Sequence, residues 1–195
     1  DLDSDDPFLN SFVLKKHDNV INRLLLSPDN RWLASIDQVG NLILWDTSLL
    51  PDKEKTEASA VIVNLQKFPL LDAAFSPTGN YLAISDASGS VFLLDMTLID
   101  DDPYAFLNTR RILQERESLV YALVFDEARY ATLLSESQYL FAAGPKNTVI
   151  AFDLTDAGKE PVTFPFAHSN TPEHLVISRD SSNLEYGSQY WLTSI

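Results

Sequence analysis

"LLLSPDNRWLASIDQVGNLILWDT", residues Leu24 to Thr47, reads as three short strands joined by two tight turns. Its apolar residues alternate with polar ones or run unbroken over strand-like lengths, and Ser-Pro-Asp-Asn and Gln-Val-Gly supply the turns. "AAFSPTGNYLAISDASGSVFLLDMT", Ala73 to Thr97, repeats the order. In each copy a strand meets Ser-Pro, an aromatic opens the next strand, and a small-residue turn leads to a third strand ending in Asp. Two looser copies follow. "LVFDEARYATLLSESQYLFAAGPKNTVIAFDLT" carries extra residues between its first two strands, and "LVISRDSSNLEYGSQYWLTSI" has a similar insertion.

The strand-end acids Asp1, Asp46, Asp95 and Asp153 stand 45, 49 and 58 residues apart. A period near 45 residues built from four short strands marks a propeller blade. The expected fold is therefore all-β: a single β-propeller segment of four-stranded antiparallel blades. The repeats span about 18–66, 67–115, 116–166 and, in part, 167–195, after an outer strand near Ser11 to Lys15. A propeller closes its ring to remove free edges, so the chain reads as an incomplete ring whose remaining blades are a partner. No segment carries a sustained helical stripe; the best helix candidate is Glu127 to Ser135, "EARYATLLS".

The repeat resembles the WD-repeat family of β-propellers. The residues that carry the resemblance are Trp45-Asp46, the stretches "SPDNRWLAS" and "SPTGNYLAI", and His17, which precedes Trp45 by 28 positions. Family blades place a Gly-His before the first strand and a Trp-Asp after the third. Here Lys16 replaces the Gly, Leu94 and Phe152 replace the Trp, and the family's turn Asp falls on Val39, Ser88 and Lys146. The resemblance implies a structural hydrogen-bond network in the blades, drawn from His17, Ser35, Trp45, Asp46, Asp95, Asp153 and His168. The replacements should weaken it and leave the apolar pattern intact.

Lys and Arg number 14 against 28 Asp and Glu, a net charge of −14. Such a surface repels phosphate backbones and anionic membranes, so neither nucleic acid nor membrane is an expected partner. There is no cysteine, hence no disulfide or thiolate chemistry, and the expected setting is cytoplasmic. The acidic phrases "SDDPFLN" (Ser4 to Asn10) and "DDPYAFLN" (Asp101 to Asn108) lack the alternating acids and central glycine of a calcium loop. They fall between third and fourth strands and read as solvated connections, where proline and acids belong. No phosphate loop, nucleophile elbow or paired-histidine motif occurs, and neither cofactor nor metal is expected.

The functional expectation is a non-enzymatic scaffold or sensor that binds protein partners. The loops before each first and third strand would display Lys16, His17, Gln38, Phe68, Asp86, Arg116, Lys146 and His168 on one face. The Asp-Pro connections resemble those of bacterial WD-repeat arrays, which are often fused to an ATPase or a caspase-like protease and sense on its behalf. The alternative is a propeller enzyme with a metal or carboxylate site in the central channel, using Asn22, Asp72, Tyr121 and His174.

Overall fold

The computed structural model describes residues 13–50, 52–65, 67–103, 105–114, 119–126, 129–130, 133–134, 138–144, 148–156, 158–165, 175–179 and 190–194. Ile21–Leu26 (β1), Trp32–Asp37 (β2), Asn41–Asp46 (β3) and Val61–Asn64 (β4) form an antiparallel sheet in sequence order, with a helix, Lys53–Ser59 (α1), before β4. Leu70–Phe75 (β5), Tyr81–Asp86 (β6), Val91–Asp95 (β7) and Arg111–Gln114 (β8) repeat it, with Ala105–Asn108 (α2) before β8. In the third repeat Ala122–Phe125 (β9) is followed by a small hairpin, Arg129–Tyr130 (β10) and Leu133–Leu134 (β11). Tyr139–Gly144 (β12), Thr148–Asp153 (β13) and Val162–Pro165 (β14) then complete the sheet. Leu175–Arg179 (β15) pairs with Tyr190–Ser194 (β16) in the fourth.

Register shows that the copies are equivalent residue by residue. The aromatic that opens each second strand faces the Asp that ends the third: Trp32 with Asp46, Tyr81 with Asp95, Tyr139 with Asp153. The pairings of β1 and β5 slip at matching places, Ile21/Arg23 and Leu70/Asp72. Turn chemistry repeats too. Ser27 and Ser76 each close the first turn, the hydroxyl accepting from the backbone N–H of Trp32 and Tyr81 respectively. Asn30 and Gly79 take the left-handed backbone there (φ 60° and 80°), a conformation that Gly and Asn adopt at least cost.

The first strands pack side by side, β1 on β5, β5 on β9 and β9 on β15, so the sheets stack face to face around a common inner edge. One apolar cluster joins Ala34, Ile36 and Leu44 of the first sheet to Leu82, Ile84 and Leu94 of the second. Another joins Ala83 and Leu93 to Leu123, Leu140 and Phe152, and a third joins Phe141 and Val149 to Leu175. Period 2 places alternate residues on opposite faces, so the second and third sheets each contribute to two clusters.

Three sequence readings need correction. Glu127 to Ser135, the best helix candidate in a chain read as all-β, carries strands where it is described: Arg129–Tyr130 and Leu133–Leu134 pair antiparallel, because two extended arms gain a ladder that a short isolated helix barely sustains. Glu127, Ala128, Ala131, Thr132 and Ser135 lie outside the described residues. No strand forms over residues 13–15, and Ser11 and Phe12 are not described. The helices sit in the third-to-fourth connections instead. Asp52 caps α1, its carboxylate accepting from the backbone N–H of Lys55 at 3.1 Å.

Nor is the acidic connection before β8 a bare spacer. Phe106, within "DDPYAFLN", is fully buried in the cluster shared by the first two sheets, with Val63, Leu65 and Ile99. Asp100 takes both guanidinium nitrogens of Arg31, from the turn of the preceding sheet, at 2.6 Å each. Both partners are about half exposed, so the pair contributes no more than about 1 kcal/mol; the buried ring is the stronger anchor.

Candidate functional site

The candidate site is the end of the sheets where each first strand begins and each second strand turns into the third. Its framework in the first sheet is a hydrogen-bonded chain. Trp45 Nε1 donates to Ser35 Oγ at 2.9 Å, Ser35 Oγ meets His17 Nε2 at 2.7 Å, and His17 Nδ1 meets Asp37 Oδ2 at 2.8 Å. A carboxylate only accepts, so Nδ1 carries the proton, and in the neutral ring Nε2 accepts from Ser35. Asp37 also receives the backbone N–H groups of Val39 and Asn41 at 3.0 and 2.9 Å and the Asn41 amide at 2.9 Å. It thereby closes the turn from β2 to β3.

The turn acid is therefore Asp37, two residues before Val39, and in the second sheet Asp86, two before Ser88; Lys146 is outside the described residues. Asp46 is not a member of the network. It caps the short turn after β3, accepting from the Ser48 backbone N–H at 2.9 Å. Asp95 and Asp153 do the same for Thr97 and Thr155, at 3.0 Å each. These strand-end acids recur because an extended strand stopping at a tight turn leaves an N–H that a carboxylate satisfies. Register places Ile84 and Ala142 at Ser35's position and Leu94 and Phe152 at Trp45's, so the polar chain gives way to apolar contact in the next two sheets. Asp86 keeps three donors on Oδ1, the N–H groups of Ser88 and Ser90 and the Ser88 hydroxyl. Its Oδ2 is buried with no partner among the described residues.

Burial pushes the Asp37 pKa up, but the Asn41 backbone and amide, His17 and the Val39 N–H outweigh it and hold the carboxyl below its usual value. A group with a depressed folded-state pKa contributes its full stability above the unfolded value, about pH 4, and loses it as pH falls through the folded value. Urea midpoints of wild type and Asp37→Asn should therefore differ widely at neutral pH and converge below about pH 4. A gap that stays constant across that range would show that the charge of Asp37 contributes nothing.

Along the inner edge, Asp72 is buried and ties three sheets together. Arg23 Nε of β1 reaches Asp72 Oδ1 at 2.9 Å, and the Leu123 backbone N–H of β9 donates to Asp72 Oδ2 at 2.8 Å. Asn22 donates to the Leu70 carbonyl at 2.8 Å and receives the Gln38 amide at 3.3 Å. Of the inner-strand residues considered for channel chemistry, Asn22 and Asp72 are thus engaged in joining strands, Tyr121 is 37% exposed, and His174 is not described. Among the described residues no cluster of three metal-ligating side chains occurs.

Of the eight residues expected on this face, Lys16, Gln38 and Phe68 are exposed. His17 is turned inward to Ser35 and Asp37, and Asp86 is fully buried beneath its turn. Arg116, Lys146 and His168 lie outside the described residues. The sequence reading missed the apolar members: Val20 (62% exposed), Ile21 (44%) and Val39 (41%), beside Phe68 (39%) and Tyr121. Val39 carried a signal, being an apolar residue at the centre of a tight turn.

No protein-family profile and no curated protein matches the chain. Solved structures do. The β-propeller domain of Cps50 (Swd1) from Myceliophteria thermophila superposes with a TM-score of 0.61 at 20% identity, over 85% of this chain and 47% of that one. The RRP9 WD40 repeats give 0.60 at 19%, over 84% and 44%, and U3-55K gives 0.57 at 19% over the same shares. The fold is that of WD-repeat β-propeller blades. The chain spans about half the length of those propellers. Each four-stranded sheet above is one blade, and the polar chain from Trp45 to Asp37 is the internal bracing of the first blade. No helix among the described residues is long and apolar enough to cross a membrane.

Proposed function

We propose that this propeller segment is a non-enzymatic platform that binds a protein partner on the face of the first-strand loops, as the sensing part of a larger protein. The observation that carries this reading is the gathering of exposed Val20, Ile21, Val39, Phe68 and Tyr121 at one end of three adjacent blades. Exposed apolar and aromatic side chains in a ring of polar ones form the composition of a protein-binding patch. Engagement of Asp72 by Arg23 and Leu123 removes the most plausible channel carboxylate from catalytic duty, which favours binding over chemistry. The net charge of −14 speaks against a nucleic-acid partner, and a cytoplasmic setting suits a cysteine-free chain.

The test uses the paired variant Phe68→Asp with Tyr121→Asp, beside Ile62→Asp, whose side chain is 52% exposed on the outer strand β4. Proteins retained by the wild-type chain from its native extract should be lost from the paired variant and kept by Ile62→Asp. If the paired variant retains the same proteins as wild type, this face is not the binding surface.

A further inference from the structure

We propose that the first-strand face takes an acidic peptide segment carrying apolar side chains, its carboxylates meeting Arg23, Lys16 and Lys67 around Val20, Val39 and Phe68. The inference rests on the reading of this face as the binding surface and names the chemistry of its partner. It concerns the part of the face built by the first two blades. Hydrogen bonds make that part continuous. The Gln38 N–H donates to the Val20 carbonyl at 3.1 Å and the Gln38 amide to Asn22 Oδ1 at 3.3 Å. The Asn22 amide then crosses to the second blade, donating to the Leu70 carbonyl at 2.8 Å. Val20, Val39 and Phe68, at the loops so joined, are 62%, 41% and 39% exposed.

Charge identifies the occupant. The chain as a whole carries −14, yet among the described residues of these loops Lys15, Lys16 and Lys67 are exposed against one exposed acid, Asp18. The loop acids Asp37 and Asp86 are inaccessible. Lys16 and Lys67 form no ion pair with a described residue. The opposite end of the sheets differs, because its acids hold their cations: Arg31 meets Asp100 and Asp46, and Lys159 meets Asp153. Arg23 is the anchor. Its Nε reaches Asp72 Oδ1 at 2.9 Å, while its two Nη nitrogens have no partner among the described residues. The Arg23 side chain is 42% exposed and that of Asp72 only 5%, so a buried carboxylate holds the guanidinium before any partner arrives. A fork fixed in this way loses little entropy on binding and offers two parallel donors to a carboxylate, as Arg31 does to Asp100. Asp72 offsets the charge of Arg23, and the lysines supply the positive surplus. An apolar centre inside a cationic rim selects acids interspersed with Leu or aromatic residues over a plain polyanion.

A displayed random-peptide library panned on the full chain at low salt should enrich sequences that combine Asp or Glu with Leu, Phe or Trp. A fluorescent peptide of the enriched sequence should bind about tenfold more weakly to the paired variant Lys16→Glu with Lys67→Glu, and more weakly as salt rises. Both lysines are exposed, so this variant should keep the wild-type circular dichroism spectrum and melting profile. Arg23→Lys retains a cation for Asp72 but lacks the fork, and should weaken binding severalfold. The overturning results are a library that enriches nothing, enriched peptides without an excess of acids, or binding unaltered by the lysine reversals. Neutral or basic peptides released by Phe68→Asp with Tyr121→Asp would defeat the acidic assignment alone and leave the binding face standing. Acidic peptides that bind this last variant as tightly as wild type would defeat both. Displacement of the peptide by single-stranded DNA at equal charge concentration would mark a plain polyanion site and also overturn the proposal.

Discussion

Trp45→Ala should destabilise the protein by about 3–5 kcal/mol, the range for truncating a buried large side chain. The ring is 4% exposed, and its N–H is the first donor of the chain that runs through Ser35 and His17 to Asp37. The loss combines a cavity with a buried hydroxyl deprived of its donor. Trp45→Phe separates the two: it keeps most of the packing and should cost about 1–3 kcal/mol for the unsatisfied partner. The double variant Trp45→Phe with Ser35→Ala should then be more stable than Trp45→Phe alone, since replacing both partners by apolar groups can be nearly neutral. The protein already contains that solution. Its second and third blades carry Leu94 with Ile84 and Phe152 with Ala142 at these two positions, all but Phe152 essentially inaccessible. Chemical denaturation provides the measurement. Losses below about 1 kcal/mol for Trp45→Ala would mean that the first blade is not braced through this ring.

Phe106→Ala should cost a similar amount, about 3–5 kcal/mol, although the residue lies in a connection. Its side chain is fully buried between the first two blades, so removal opens a void that both sheets border. A void at an interface between blades weakens the neighbour coupling on which a repeat array depends. The urea m-value should therefore fall along with the midpoint if the blades begin to unfold separately. Ile112→Ala, on β8 just beyond the same connection and 49% exposed, should shift stability by less than about 0.5 kcal/mol. A Phe106→Ala effect as small as that of Ile112→Ala would restore the reading of the connection as a solvated spacer.

The contrast between these two residues shows how much was legible beforehand. Trp45 could be read in advance because it ends a strand of period 2 and sits 28 positions after His17. Phe106 could not, because an aromatic after Asp-Asp-Pro has no periodic neighbours to declare a buried face. The face proposed to bind a partner is half legible in the sequence. Its loops follow from the strand order, but Asp86, expected on display, is buried under its own turn, and the exposure of Val20, Ile21 and Val39 is visible only in the fold.

By itself the sequence determined what depends on neighbours along the chain. Alternation and β-branched runs mark the strands, Ser-Pro and Asp-Thr mark the turns, and their recurrence over about 45 residues marks the blade. Tertiary structure decided whatever depends on which distant groups meet. Whether Asp37, Val39 or Asp46 answers His17 depends on the register of β2 against β3, because adjacent strand positions point to opposite faces. Arg23, Asp72 and the Leu123 N–H come from three different blades, 49 and 51 residues apart, and only the stacking of first strands brings them together. Local pattern is written in spacing that a reader of the chain can count. The contacts between blades arise from packing geometry, and there a charge or a ring acquires its role only from what the fold sets beside it.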